Sequence, residues 1–259
     1  MMPRKNWTPE EVKLAFHLYC QLPYGRLHRH TPEVIALANL LERSANSVAM
    51  KLCNLASLDP AIVASGRKGL TGASKLDRAI WDEFHADWEG LVLESSRIRA
   101  KLEQATQGAS ELYPAPEKPI DNFTGETRRQ IVQQRIKQSF FRRAVLSSYR
   151  GRCCITGLSE PRLLIASHIV PWSQDKANRL NPSNGLCLSA LYDRAFDQGL
   201  ITFDEDWRVV LSPRLKQPEP AMRHFFHTIE GQKIVMPERF HPDPKLMQQH
   251  RESVFVDAI

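Results

Sequence analysis

Two strand-length apolar runs, separated by a stretch dense in turn formers and followed at once by a short amphipathic segment, constrain this chain more than any other feature. Leu163-Leu164-Ile165-Ala166 is the first run and Leu186-Cys187-Leu188 the second. Between them lie Pro171, Asn178, Asn181, Pro182, Asn184 and Gly185, residues that favour tight or left-handed backbone and therefore a wide irregular loop. Ser189 to Phe196 then carries Leu191 and Ala195 at i, i+4, and Gly199 stands where a left-handed C-cap would end a helix. The pattern predicts strand, loop, strand, helix.

Reactive side chains fall on this frame at telling positions. Asp193 and Asp197 sit four residues apart, so both carboxylates leave one helix face with Cβ atoms roughly 6 Å apart. Two like charges so close repel unless neutralised, and oxygen donors of this kind suit a hard divalent ion, Mg²⁺ or Mn²⁺, rather than a thiolate-type zinc site. His168, at the end of the first strand, would face that helix. Its imidazole titrates near neutrality and can take a proton from water without a permanent charge. Asn184, at the start of the second strand, can hold the loop or the histidine through its amide.

In order and spacing these residues resemble the HNH, or ββα-metal, endonuclease family, and more narrowly its bacterial restriction-endonuclease-like members. The surrounding sequence is also similar: Phe141-Arg142-Arg143-Ala144-Val145-Leu146, Tyr149 to Gly157, Ala166-Ser167-His168-Ile169, Asn184-Gly185-Leu186 and Phe196-Asp197-Gln198-Gly199. The resemblance covers about residues 125 to 255. It implies His168 as general base, Asn184 as the central asparagine of the catalytic pair, and Asp193 and Asp197 as metal ligands. Three departures stand out. Ser167 occupies the place where many relatives carry an acidic or histidine ligand. Asp193 replaces the last histidine of the motif. The paired Cys-x-x-Cys motifs that hold structural zinc in some relatives are absent, so no structural zinc is expected.

Beyond this segment, a formal net charge of +6 favours a polyanionic partner. The charge is localised: from residue 126 to 152, Arg128, Arg129, Arg135, Lys137, Arg142, Arg143, Arg150 and Arg152 face the single acid Glu126. Val132, Ile136, Phe140 and Ala144 recur at i+4 through it, so an amphipathic helix with a basic outer face is expected to grip DNA phosphates. Arg128, Arg129, Arg135, Arg142 and Arg143 are its candidate contacts. Five cysteines, Cys20, Cys53, Cys153, Cys154 and Cys187, lack regular spacing and read as reduced, buried thiols. No apolar run approaches the roughly 18 residues of a bilayer span and no signal-like stretch follows Met1, so a soluble cytoplasmic protein without a membrane partner is expected.

From Ala100 to Thr127 the chain turns polar and proline-rich, which places a linker at 101–125 between a helical domain, 1–100, and a nuclease domain, 126–259. In the first domain Thr8-Pro9-Glu10-Glu11 spells a capping box, Thr31-Pro32 opens a second helix, Ser44 a third, and Ser74 with Asp77 a fourth. The third carries Val48, Leu52 and Leu55 inward and shows Asn46, Ser47, Lys51 and Asn54 outward. The stretch weakly resembles Myb-like helix-turn-helix domains, in which these four polar residues would contact DNA. His28 and His30 read as surface histidines. Beyond Gly199, residues 200–203 and 208–211 suggest a hairpin, and Leu246 to Phe255 a last helix covering the small core.

The fold class expected is α+β: an N-terminal helical, helix-turn-helix-like domain followed by a ββα-metal domain. The resemblance implies a Mg²⁺- or Mn²⁺-dependent endonuclease acting on double-stranded DNA, in restriction or host defence. One site cuts one strand, so a double-strand break calls for a homodimer or two binding events. The alternatives are a DNA-binding regulator that kept the fold and lost turnover, favoured by Ser167, and a nuclease acting on RNA.

Overall fold

A computed structural model describes residues 6–67, 72–105, 125–217 and 219–257. The chain forms two compact units, Met1–Phe140 and Phe141–Ile259. Most of the linker expected at 101–125 lies outside the described residues.

The first unit is helical: α1 (Pro9–Gln21), α2 (Pro32–Leu40), α3 (Ala45–Ala56), α4 (Pro60–Ala64), α5 (Lys75–Ala86) and α6 (Trp88–Ala105). The expected capping box of α1 forms, and the Ser74 cap of α5 proves to be a second one. Thr8 accepts from the Glu11 amide while the Glu11 carboxylate accepts from the Thr8 amide, and Ser74 and Asp77 do the same for α5. Helix α1 is buried from Glu11 to Cys20, on all sides rather than on one face, with the Phe16 ring edge-on to Phe84 at 4.3 Å. The sequence had not marked α4 and α6. In α6 the charges of Glu89, Glu94, Arg97, Arg99 and Lys101 break up the apolar signal, yet Leu91, Val92 and Ile98 are buried.

Helix α7 (Gly125–Ser148) contributes residues to both units, and the second unit continues through β1 (Leu164–His168), β2 (Gly185–Ser189), α8 (Ala190–Asp197), β3 (Ile201–Phe203), β4 (Val209–Leu211), α9 (Pro220–Met222) and α10 (Pro244–Ser253). Strands β1 and β2 pair antiparallel with Ser167 opposite Leu186 and His168 opposite Gly185. The hairpin β3–β4 pairs Ile201 with Leu211 and Phe203 with Val209. The element order is the expected strand, loop, strand, helix, with β1 running on through the histidine.

Two glycines make this packing feasible. A Cβ on Gly185 would lie 2.3 Å from a Val145 methyl, so only glycine lets α7 approach β2 so closely. Gly199 has φ +65°, and its amide and that of Leu200 return to the carbonyls of Phe196 and Ala195, a Schellman-type end to α8. The same glycine accepts from the Val256 amide, and a Cβ there would lie 2.0 Å from the Val254 carbonyl oxygen. The segment after α10 is thereby fastened beside α8. None of the five cysteines forms a disulfide; four are buried and Cys53 half-buried. Among the described residues no helix is long and apolar enough to cross a membrane.

Candidate functional site

A cleft of about 420 Å³ opens in the second unit, and its walls carry Ser167 and His168 from β1, Trp172 from the following loop, Asp193 and Asp197 from α8, and His250 from α10. Strand and helix are brought together because α8 packs on both β1 and β2, which turns the end of β1 toward the acidic face of α8.

His168 is fixed from two sides. Its ring lies parallel to Phe141 with centroids 3.8 Å apart, and Nε2 donates to the Arg179 carbonyl at 2.9 Å. That bond sets the tautomer and leaves Nδ1 as the nitrogen able to accept a proton. Burial lowers the imidazole pKa, opposed by the Arg179 carbonyl, so the neutral form is favoured.

Asn184 is completely buried and lies outside the cleft. Its Oδ1 accepts from the Val170 amide at 2.8 Å, and Nδ2 donates to the carbonyls of Val170 at 3.1 Å and Asn178 at 3.2 Å. Those bonds hold the loop whose Arg179 carbonyl holds His168. Within the loop the Asp175 carboxylate accepts from the amides of Ala177 and Asn178, and Asn181 caps the turn at Pro182–Asn184. The asparagines that mark the loop in the sequence are therefore its internal hydrogen-bonding groups.

Both acids line the cleft. Burial raises the Asp193 pKa, while the Ser167 hydroxyl and Arg194 pull it back. Burial raises Asp197 as well, followed by repulsion from Asp193. Ser167 is buried, and its Oγ faces Asp193 without closing a hydrogen bond of good geometry. Among the described residues no group of three or more His, Cys, Asp or Glu side chains is placed to hold a metal ion. Two mutually repelling carboxylates beside an unsatisfied hydroxyl fit a hard divalent cation that retains several waters.

The other expected contacts are dispersed. Arg129 and Arg135 are exposed on α7, and Arg143 is half-buried; the side chain of Arg128 lies outside the described residues. Arg142 is committed internally, donating to the carbonyls of Leu164 at 2.8 Å and Pro161 at 3.0 Å. The expected apolar row of α7 is buried at Phe140 and Ala144 but emerges at Val132, which is 41% exposed. On α3, Asn46 is exposed, and Ser47 and Asn54 are half-buried. Lys51 requires a correction. Expected to face outward, it is buried, with Nζ 2.6 Å from Asp77 and 5.0 Å from the Trp7 ring centroid. A lysine whose charge is neutralised inside the fold is not available to a phosphate. Sequence reading missed Phe141, Arg179, Trp172 and His250 as neighbours of the site. Only Phe141 carried a signal, as the first residue of the resembling stretch Phe141 to Leu146; the others reach the cleft through loop and tertiary geometry.

A two-stranded antiparallel sheet backed by a helix, with a histidine on the first strand and paired acids on the helix, is a ββα arrangement. Residues 153–204 match the family model of the HNH endonucleases, a span running from Cys153 through β1, β2, α8 and β3, so this segment is similar to the HNH endonuclease domain. No curated protein matches the chain.

Proposed function

We propose that the protein is a metal-dependent DNA endonuclease in which His168 activates a water for attack on a phosphodiester. The observation that carries the reading is the shared cleft: a neutral imidazole with its tautomer set, facing two carboxylates that need a counter-charge. Asp193 and Asp197 would hold Mg²⁺ or Mn²⁺, with the Ser167 hydroxyl beside them. When bound, such an ion supplies charge stabilisation at the phosphoryl oxygens and at the departing 3′ oxygen. His168 Nδ1 takes the proton of the attacking water, and Phe141 and the Arg179 carbonyl keep the ring in that orientation. Asn184 acts at one remove, by holding the loop.

Double-stranded DNA is the proposed substrate, in restriction or host defence, and a complete break would need a homodimer or successive nicks. Arg129, Arg135 and Arg143 are the proposed phosphate contacts. In the first unit, α2 and α3 are proposed as a helix-turn-helix that presents Asn46, Ser47 and Asn54. The second reading, a DNA-binding regulator without turnover, is favoured by Ser167 in place of a stronger ligand. Incubation of supercoiled plasmid and of RNA with Mg²⁺ or Mn²⁺, beside a His168→Ala control, decides. Nicking of DNA by wild type alone is expected. Plasmid left intact by both proteins would favour the regulator, and preferential RNA cleavage an RNA nuclease.

A further inference from the structure

The wall of the cleft beside His168 carries an aromatic ring that the hydrolytic reading does not use. Trp172 is half-buried, lines the cleft, and stands edge-on to His168 with centroids 5.5 Å apart and planes at 88°. It is not required to fix the imidazole, which Phe141 holds by its face and the Arg179 carbonyl by Nε2. The Arg179 guanidinium lies over the indole at 5.4 Å, so one residue supports the histidine through its backbone and the tryptophan through its side chain. The loop beneath is braced by Asp175, Asn178 and Asn184, so the indole is presented on a preorganised support rather than a pliant one.

A half-exposed indole beside a cation, in a cleft built around a phosphodiester, has one natural partner among nucleic-acid groups: the face of a nucleobase. In an intact duplex that face is covered by neighbouring bases, and it becomes available when the nucleotide leaves the stack. We propose that Trp172 stacks on the base flanking the scissile phosphate, and that the protein accordingly prefers DNA in which this base is unpaired, as at a mismatch, bulge or junction. The inference rests on the nuclease reading and specifies its substrate.

The test is binding of 2-aminopurine-labelled duplexes to metal-free protein, with the reporter either paired or in a one-nucleotide bulge. Wild type should quench the bulged reporter and bind that duplex about tenfold more tightly than the paired one, the scale of a single base–aromatic stack. Trp172→Phe should keep most of both effects. Trp172→Leu, which keeps apolar bulk but lacks an aromatic face, should lose both while unfolding at the wild-type temperature. Equal affinity for the two duplexes, or a preference that survives in Trp172→Leu, overturns the proposal; if plasmid is still nicked, the nuclease reading stands without it. Failure to bind any DNA, together with failure to nick plasmid, overturns both.

Discussion

Replacing Asn184 by alanine should cost both stability and turnover, and the size of the loss follows from three hydrogen bonds. The side chain is completely buried, so no water stands ready to replace it. Removing Oδ1 leaves the Val170 amide, in a residue only 1% exposed, without its acceptor, a penalty of about 1–3 kcal/mol. Losing Nδ2 takes one bond each from the carbonyls of Val170 and Asn178, about 0.5–1.5 kcal/mol apiece. The sum is roughly 2–6 kcal/mol, read as a fall in the urea midpoint at unchanged m-value. Asn184→Asp sharpens the argument. It keeps an acceptor for Val170 but sets a carboxylate oxygen against two carbonyl oxygens, so at pH 7 it should be at least as damaging as alanine. Acidification that protonates the new carboxyl should narrow the difference between the two variants. Because the same loop supplies the Arg179 carbonyl to His168, kcat should fall with stability even in folded protein at low temperature. A loss under about 1 kcal/mol with unchanged turnover would refute the claim that this asparagine organises the loop.

His250, buried with Nε2 donating to the Phe196 carbonyl and Nδ1 accepting from Thr202, is held as neutral imidazole, with its pKa pushed down to about 4. The unfolded chain protonates it near 6.5, so its contribution is complete above pH 6.5 and is lost as pH falls from 6.5 to 4. About 3 kcal/mol of stability should disappear over that window, and flat urea midpoints from pH 7 to 4 would contradict the geometry. In the first unit Asp77→Ala strands the buried ammonium of Lys51 and removes the α5 cap; a loss of about 3–5 kcal/mol is expected by denaturant unfolding. The acid limb of the cleavage rate should lie below pH 6.5, because burial lowers the His168 pKa and preserves the base form on acidification; a limb above 6.5 would contradict that placement.

Local chemistry carries what the sequence reveals here. Thr8, Ser44 and Ser74 announce helix starts because each hydroxyl satisfies an amide within three residues, and Gly199 announces the end of α8 because the turn needs positive φ. Asp193 and Asp197 are legible as a pair because helix geometry alone puts them on one face. Illegible are features decided at long range. Lys51 belongs to the exposed face by periodicity, but α5 brings Asp77 onto it from 26 residues away. Arg142 reads as one basic residue in a run, yet its guanidinium fastens α7 to the start of β1. His250 reaches the cleft from α10, which lies some fifty residues beyond α8 in the chain.

The central claim is that one cleft joins an imidazole to a pair of acids that share a cation. Mn²⁺ titration followed by electron paramagnetic resonance tests it without depending on substrate. Wild type and His168→Ala should each bind one ion, and Asp193→Asn and Asp197→Asn should each weaken that binding at least tenfold, by about 1.4 kcal/mol or more. Equal Mn²⁺ affinity in all four proteins, or none in wild type at millimolar ion, would contradict the account.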